Sequence, residues 1–261
     1  KVQMLKMHTV PSVVYLNYTY DDPSIELVFN DTRFRKALSL GIDRQEMIDT
    51  LYFQQATIPD LLPSEYNPEK ARALLDEMGM DQYDDDGFRL APNGERFELY
   101  FEIYARRPDH IPATELFLEY FRDLGIRTNM KQISGELRSS RANANELMAS
   151  VEYTALPRMR MGTMSQHMLP GAWVNWGALW NLWKNSEGEE GEEPPAWIKE
   201  VYEIDSRIMK AVPGSEAAKT AWEDMFNWYS ENLPFIITVD KVVHPMLVDN
   251  KLRNVPHEGI H

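Results

Sequence analysis

Phe97-Glu-Leu-Tyr-Phe-Glu-Ile-Tyr104, followed by His110 to Leu124 and then Ile126-Arg-Thr-Asn-Met-Lys-Gln-Ile133, is the stretch that decides the fold class. The first segment alternates polar and apolar residues as a half-buried strand does. The second places Ala113, Leu116, Phe117, Tyr120, Phe121 and Leu124 on one helical stripe, and Gly125 stops it. The third is again a strand. Strand, helix and strand with tight connections make a βαβ unit, which implies parallel strands and a right-handed crossover. Outward from this unit, Glu136 to Asn143 reads as a short helix and Glu146 to Thr154 as a third strand. Ala196 to Met209 and Glu216 to Glu231 read as two further helices, parted by Pro213-Gly214. Val13 to Tyr20 and Pro234 to Val239 have the aromatic and β-branched content of strands. The expected fold is α/β, with helices flanking a mixed sheet.

The 261 residues are enough to bury a proper core. Forty-one acidic against 27 basic residues give a formal net charge of −14, which argues against nucleic acid or an anionic membrane as partner. No run of eighteen apolar residues exists. The absence of cysteine removes disulfides, thiolate metal sites and thiol catalysis together.

Two helical segments carry more than periodicity. In Phe29-Asn-Asp-Thr-Arg-Phe-Arg-Lys-Ala-Leu-Ser-Leu-Gly-Ile-Asp-Arg-Gln-Glu-Met-Ile48, Asp31 suits an N-cap, and Phe34, Ala37, Leu38 and Ile42 share a face. Asp43 and Arg44 open a further turn that faces Met47, Ile48 and Leu51 inward. In Tyr66-Asn-Pro-Glu-Lys-Ala-Arg-Ala-Leu-Leu-Asp-Glu-Met-Gly79, Asn67 suits the N-cap, Pro68 the first helical position and Gly79 the stop. Both stretches resemble signature segments of the family 5 extracellular solute-binding proteins, the receptors of bacterial ABC importers. Gly191 to Lys199 and Asn250 to Pro256 are similar to segments of one branch of that family.

The resemblance implies a periplasmic-binding-protein-like lobe, the second of two in such a receptor. Residues 1–12 would then be the end of a first-lobe segment, 13–240 the second lobe, and 241–261 the hinge return into the first lobe. Val13 to Tyr20 looks like the first crossing and Pro234 to Val239 like the return, so Tyr15 and Ile237 should lie on one edge. The resemblance also implies a small-molecule ligand (oligosaccharide or peptide) and ABC permease subunits as partners. The missing first lobe of the same chain is a further partner on this reading. It implies a periplasmic or extracellular location, with lipid anchoring left open. It calls for no cofactor, no metal and no catalysis. A hydrolase or a stand-alone interaction domain on the same fold is the alternative.

Motifs for other chemistry are weak. His257-Glu-Gly-Ile-His261 matches a zinc-protease pattern, but Pro256, Gly259 and the lack of a downstream ligand deny it the rigid helix that chemistry needs. In Asp81 to Gly87, placing Gly87 at the sixth position of a calcium loop puts Gln82 first and Asn93 twelfth, which excludes an EF-hand. Glu187 to Glu193 reads as a solvated acidic loop.

The candidate ligand-binding residues are Glu152, Tyr153, Arg158, Trp173, Trp176 and Trp180. Trp173, Trp176, Trp180 and Trp183 recur at helical spacing, which fits a buried face or indoles lining a cleft. In peptide-binding members the strand matching Val151 to Thr154 ends in an aromatic residue, with an aspartate three positions later that pairs with the ligand's amino terminus. Tyr153 fills the aromatic position, while Leu156 stands where that aspartate would be. Peptide is therefore disfavoured and a neutral, hydroxyl-rich ligand gains weight. Arg160 is a further donor near Arg158. Arg106 and Arg107 are secondary candidates because ligands of open α/β sheets bind at strand carboxyl ends.

Overall fold

The computed structural model describes residues 2–6, 9–60, 62–155, 168–171 and 176–254. Its strands are β1 (Val2–Lys6), β2 (Thr9–Leu16), β3 (Leu99–Ile103), β4 (Thr128–Gln132), β5 (Ala149–Ala155), β6 (Phe235–Ile237) and β7 (Val243–Leu247). The helices are α1 (Pro23–Asn30), α2 (Thr32–Gly41), α3 (Arg44–Thr50), α4 (Pro68–Glu77), α5 (His110–Asp123), α6 (Gly135–Asn143), α7 (Ala178–Asn185), α8 (Ala196–Lys210) and α9 (Glu216–Asn232). Five strands form one mixed sheet in the order β4-β3-β5-β2-β6, and β1 pairs with β7 in a separate antiparallel ribbon. β3 runs parallel to β4 and to β5, as the βαβ reading requires, while β2 is antiparallel to both of its neighbours.

Local chemistry sets the element ends. Asp31 accepts the Arg33 N–H at 2.8 Å, Asp43 that of Glu46 at 2.9 Å, and Asn67 that of Lys70 at 3.0 Å, so three helices start on side-chain caps. Gly79 takes the left-handed conformation just past α4. α1 escaped the sequence reading although Asp22-Pro23 signals it; Asp22 accepts from Ser24 N and Ile25 N. β2 starts and ends four residues earlier than its expected span. Asn17 Oδ1 accepts from the Thr19 N–H and hydroxyl, a local turn that lifts the chain off the sheet. The ladder also slips between Val10 and Val13, around Pro11, which has no N–H to donate.

Core residues cover both sheet faces. Phe101 stands opposite Ala149, and Tyr15 opposite Ser150, so these two rings point to opposite sides. Phe101 packs on α5, its ring 6.5 Å from Phe121. On the other side Tyr15 meets Phe235, which meets Trp176 and Tyr229. Tyr18, Trp180, Trp197 and Trp228 extend this layer as a run of stacked and edge-on rings.

Among the described residues, two arginines, Arg35 and Arg44, are fully buried and join elements through backbone carbonyls. Arg35 donates to Asn232 O at the end of α9 and to Phe29 O, with Tyr18 and Trp197 each 5.2 Å from its guanidinium. Arg44 donates to Ile237 O of β6 and to Ser39 O. Burial pulls the Arg44 guanidinium down to about 10. An ordinary amphipathic helix has no need of these side chains; tying α2 and α3 to the carboxyl-terminal elements does.

The acidic turn is held by its own bonds. Asp84 accepts from the Asp86 and Phe88 N–H groups, and Arg127 bridges Asp84 and Asp86 at 2.7 Å. Glu187 to Glu193 is an exposed loop. His257 to His261 lies outside the described residues.

Candidate ligand-binding site

The sheet has one end at which several chain paths converge. β3, β4 and β5 are mutually parallel and finish there, at Ile103, Gln132 and Ala155. β2 begins there, with Thr9 opposite Ala155. β6 is antiparallel to β2 and runs toward the same end, continuing to Asp240. Loops and helix starts gathered at the carboxyl ends of strands are where open α/β sheets bind ligands.

The loop from β3 to α5 supplies Arg106, Arg107 and Asp109. Arg107 donates to Thr9 Oγ1 at 3.4 Å, and its guanidinium lies 5.3 Å from the centre of the Tyr153 ring. Arg106 Nε stands 3.9 Å from Glu152 Oε2, and its own guanidinium lies over the Tyr104 ring. Asp109 accepts the Tyr52 hydroxyl at 2.8 Å and the Ser12 hydroxyl at 3.3 Å. Burial pushes the Tyr52 phenol up, and the neighbouring Asp109 charge adds to the rise. His110 is fully buried and sets its ring nitrogens 3.2 Å from Pro11 O and 3.3 Å from Tyr104 O. These contacts fix the loop to β2.

Glu152 and Tyr153 sit side by side on β5 and so point to opposite faces. Tyr153 is half-buried under Arg107. Glu152 is 3% exposed and has Arg138 Nε of α6 at 2.9 Å from Oε1. Burial lowers the Arg138 guanidinium, opposed by the Glu152 charge. On the Glu152 face the register sets Tyr15 opposite Ser150, Val13 opposite Glu152 and Val10 opposite Thr154. The Tyr15 hydroxyl is buried there beside that of Thr154, with which it shares a hydrogen bond, and among the described residues Ser150 Oγ and Glu152 Oε2 have no partner within bonding geometry.

Of the sequence-predicted residues, the fold brings together Glu152, Tyr153, Arg106 and Arg107. Arg158, Arg160 and Trp173 lie outside the described residues. Trp176 and Trp180 require a correction. They are 0% and 4% exposed, and Tyr18 packs edge-on against the first and stacks on the second at 5.6 Å. Their indole faces are spent on the core because α7 lies on the layer made by Tyr18, Trp197 and Phe235, so neither offers a stacking surface. The sequence reading missed Arg138 and Asp109. For Arg138 a signal existed: Glu102 and Glu152 fall within predicted strands flanked by apolar residues, and Arg138 and Arg141 recur one turn apart on α6 to meet them. Among the described residues, no group of three or more His, Asp or Glu side chains is placed to hold a metal ion. None of their helices is long and apolar enough to cross a membrane.

Comparison with solved structures gives the oligopeptide-binding protein OppA at a TM-score of 0.80 and 26% identity, covering 100% of this chain and 46% of that one. The periplasmic binding protein MelB of Agrobacterium fabrum, in complex with stachyose, matches at a TM-score of 0.73 and 17% identity over 94% of this chain and 39% of its own. NikA from Brucella suis, in complex with Fe(III)-EDTA, matches at 0.69 and 14% identity over 94% and 47%. The chain thus spans less than half the length of each of these structures. No curated protein sequence matches it. The family model of bacterial extracellular solute-binding proteins, family 5, matches residues 4–172, well over half of the chain. With that match, and a fold shared with OppA throughout, the chain belongs to the bacterial extracellular solute-binding proteins of family 5.

Proposed function

We propose that this chain is the second, ligand-capturing lobe of a two-lobed receptor that closes on its cargo and delivers it to an ABC permease. The observation that carries the reading is that Arg106, Arg107, Tyr153 and, on the opposite face of β5, Glu152 lie at the sheet end where β2 begins and β6 finishes. Hinge closure there would bury a ligand between lobes. An oligosaccharide is the preferred cargo, with peptide the second choice. Supporting this, the carboxylate of Glu152 is already committed to Arg138 and Leu156 replaces the aspartate that would meet a peptide ammonium. The donors Arg106 and Arg107 and the half-buried Tyr153 ring suit a polyhydroxylated, uncharged molecule. The same fold carries stachyose in MelB.

Native mass spectrometry of the intact receptor, purified without denaturation, tests the cargo class. A retained mass that fits an oligosaccharide and is lost from the Tyr153→Ala protein is the expected result. A retained peptide overturns the ligand preference, and retention undiminished by Tyr153→Ala and Arg107→Ala together overturns the site.

A further inference from the structure

Phe53 is the most exposed aromatic ring among the described residues, at 77%, and the backbone goes to some length to hold it outward. Phe53 and its neighbour Gln54 both adopt left-handed conformations, φ +49° and +62°, which side-chain-bearing residues take only at a cost and which cluster at clamps and switches. The turn is anchored on every side. Gln54 N–H donates to Ile48 O, and Gln55 N–H to Tyr52 O. The preceding residue, Tyr52, is buried and bonds Asp109 and Ser12, the latter on β2. The following residues are laced to the strand path after β6: Thr57 exchanges two backbone bonds of 2.8 Å with Asp240, Gln55 O accepts from Val243 N–H, and Lys241 pairs with Asp60 at 3.1 Å. Ile58, 42% exposed, continues the apolar surface beside a shallow crease lined by Gln45, Ile48, Asp49 and Thr57.

The turn therefore stands beside the chain path from β6 to β7 and is tied through Tyr52 to β2, stiffly mounted and presenting an uncovered phenyl ring. We infer that Phe53 is a closure contact, seating against the opposing lobe of the same polypeptide when the two lobes meet. This rests on the two-lobed reading proposed above. The occupant is argued from position: a surface laced to the path that leads out of the sheet into β7 lies close to whatever that path leads into. Burial of an exposed phenyl ring on closing, and only then, would favour the closed form.

The test is site-specific photo-crosslinking in the intact receptor, with p-benzoylphenylalanine replacing Phe53, Leu247 or Tyr83 in separate proteins. Leu247 lies on the β1–β7 ribbon and is 87% exposed; Tyr83 is an exposed aromatic beside Gly125, at the far end of the sheet. The expected result is an intramolecular crosslink from position 53 to peptide outside residues 1–261, with none from position 83. Crosslinks from 247 but not from 53 overturn the closure contact and leave the two-lobed reading standing. Failure of both 53 and 247 to reach beyond residues 1–261 overturns that reading as well. A crosslink from 53 to a different polypeptide overturns the assignment of the occupant.

Discussion

Replacing Arg138 with Met removes the cation that faces Glu152 and keeps most of its aliphatic bulk. The carboxylate left behind is 3% exposed, so water cannot take over. Removing one partner of a buried pair costs about 3–5 kcal/mol, because the remaining charge is buried uncompensated. Arg106 moderates this: its Nε is 3.9 Å from Glu152 Oε2 and its side chain is 40% exposed, so it has room to close the gap. The lower end, about 3 kcal/mol, is therefore expected, equivalent to a fall of roughly 6–12 °C in Tm for a chain of this size. Adding Glu152→Gln removes the charge and should recover stability to within about 1 kcal/mol of the parent. Adding Arg106→Ala to Arg138→Met should instead deepen the loss. Thermal melts followed by circular dichroism on the four proteins measure all of this. A Tm change under about 2 °C for Arg138→Met, or no recovery with Glu152→Gln, would refute the claim that this pair is a buried, mutually dependent unit.

Trp180→Ala should cost roughly 3–5 kcal/mol of folding free energy in urea titration, since its ring is locked between Tyr18 and Trp197; a cost below 1 kcal/mol would restore the ring to the candidate cleft residues. Acid should loosen the turn at Asp84 before the core. Its hydrogen bond from Arg127, helped by the Phe88 N–H, holds the carboxyl below the usual range, so the contribution is fully present above the unfolded value, about 3.9, and is lost as pH falls through the folded one. Protection factors in residues 84–88, corrected for intrinsic exchange, that fall between pH 5 and pH 2.5, and fall less in Arg127→Gln, are the expected pattern.

The βαβ unit was legible because period-2 and period-3.6 patterns follow one another there without interruption, and Gly125 separates them. The caps at Asp31 and Asn67 were legible for the same local reason. Strand limits were not: β2 slid because Pro11 and the Asn17 turn act on pairing, which the apolar count of Val13 to Tyr20 does not register. The tryptophan run shows why the site was only half readable. Spacing told that Trp176 and Trp180 share a helical face, but whether that face meets Tyr18 or open space depends on the turn just past β2, more than 150 residues earlier in the chain. For Arg138 the pattern of charges offered a hint, but which carboxylate it meets was set by pairing with a strand fourteen positions away.

β1 and β7 are hydrogen-bonded to each other over five facing pairs, from Val2 opposite Leu247 to Lys6 opposite Val243. Two separate cords would let whatever they join swing, twist and slide independently. A laced pair of strands is a flat strip, which flexes readily across its thin direction but resists shearing and splaying, because either would break the ladder. Motion about such a strip is reduced toward a single bending coordinate, with the two cords forced to move in step. On the two-lobed reading proposed above, a receptor hung on it would meet its cargo along one repeatable path, its two halves guided into line before any contact between them forms.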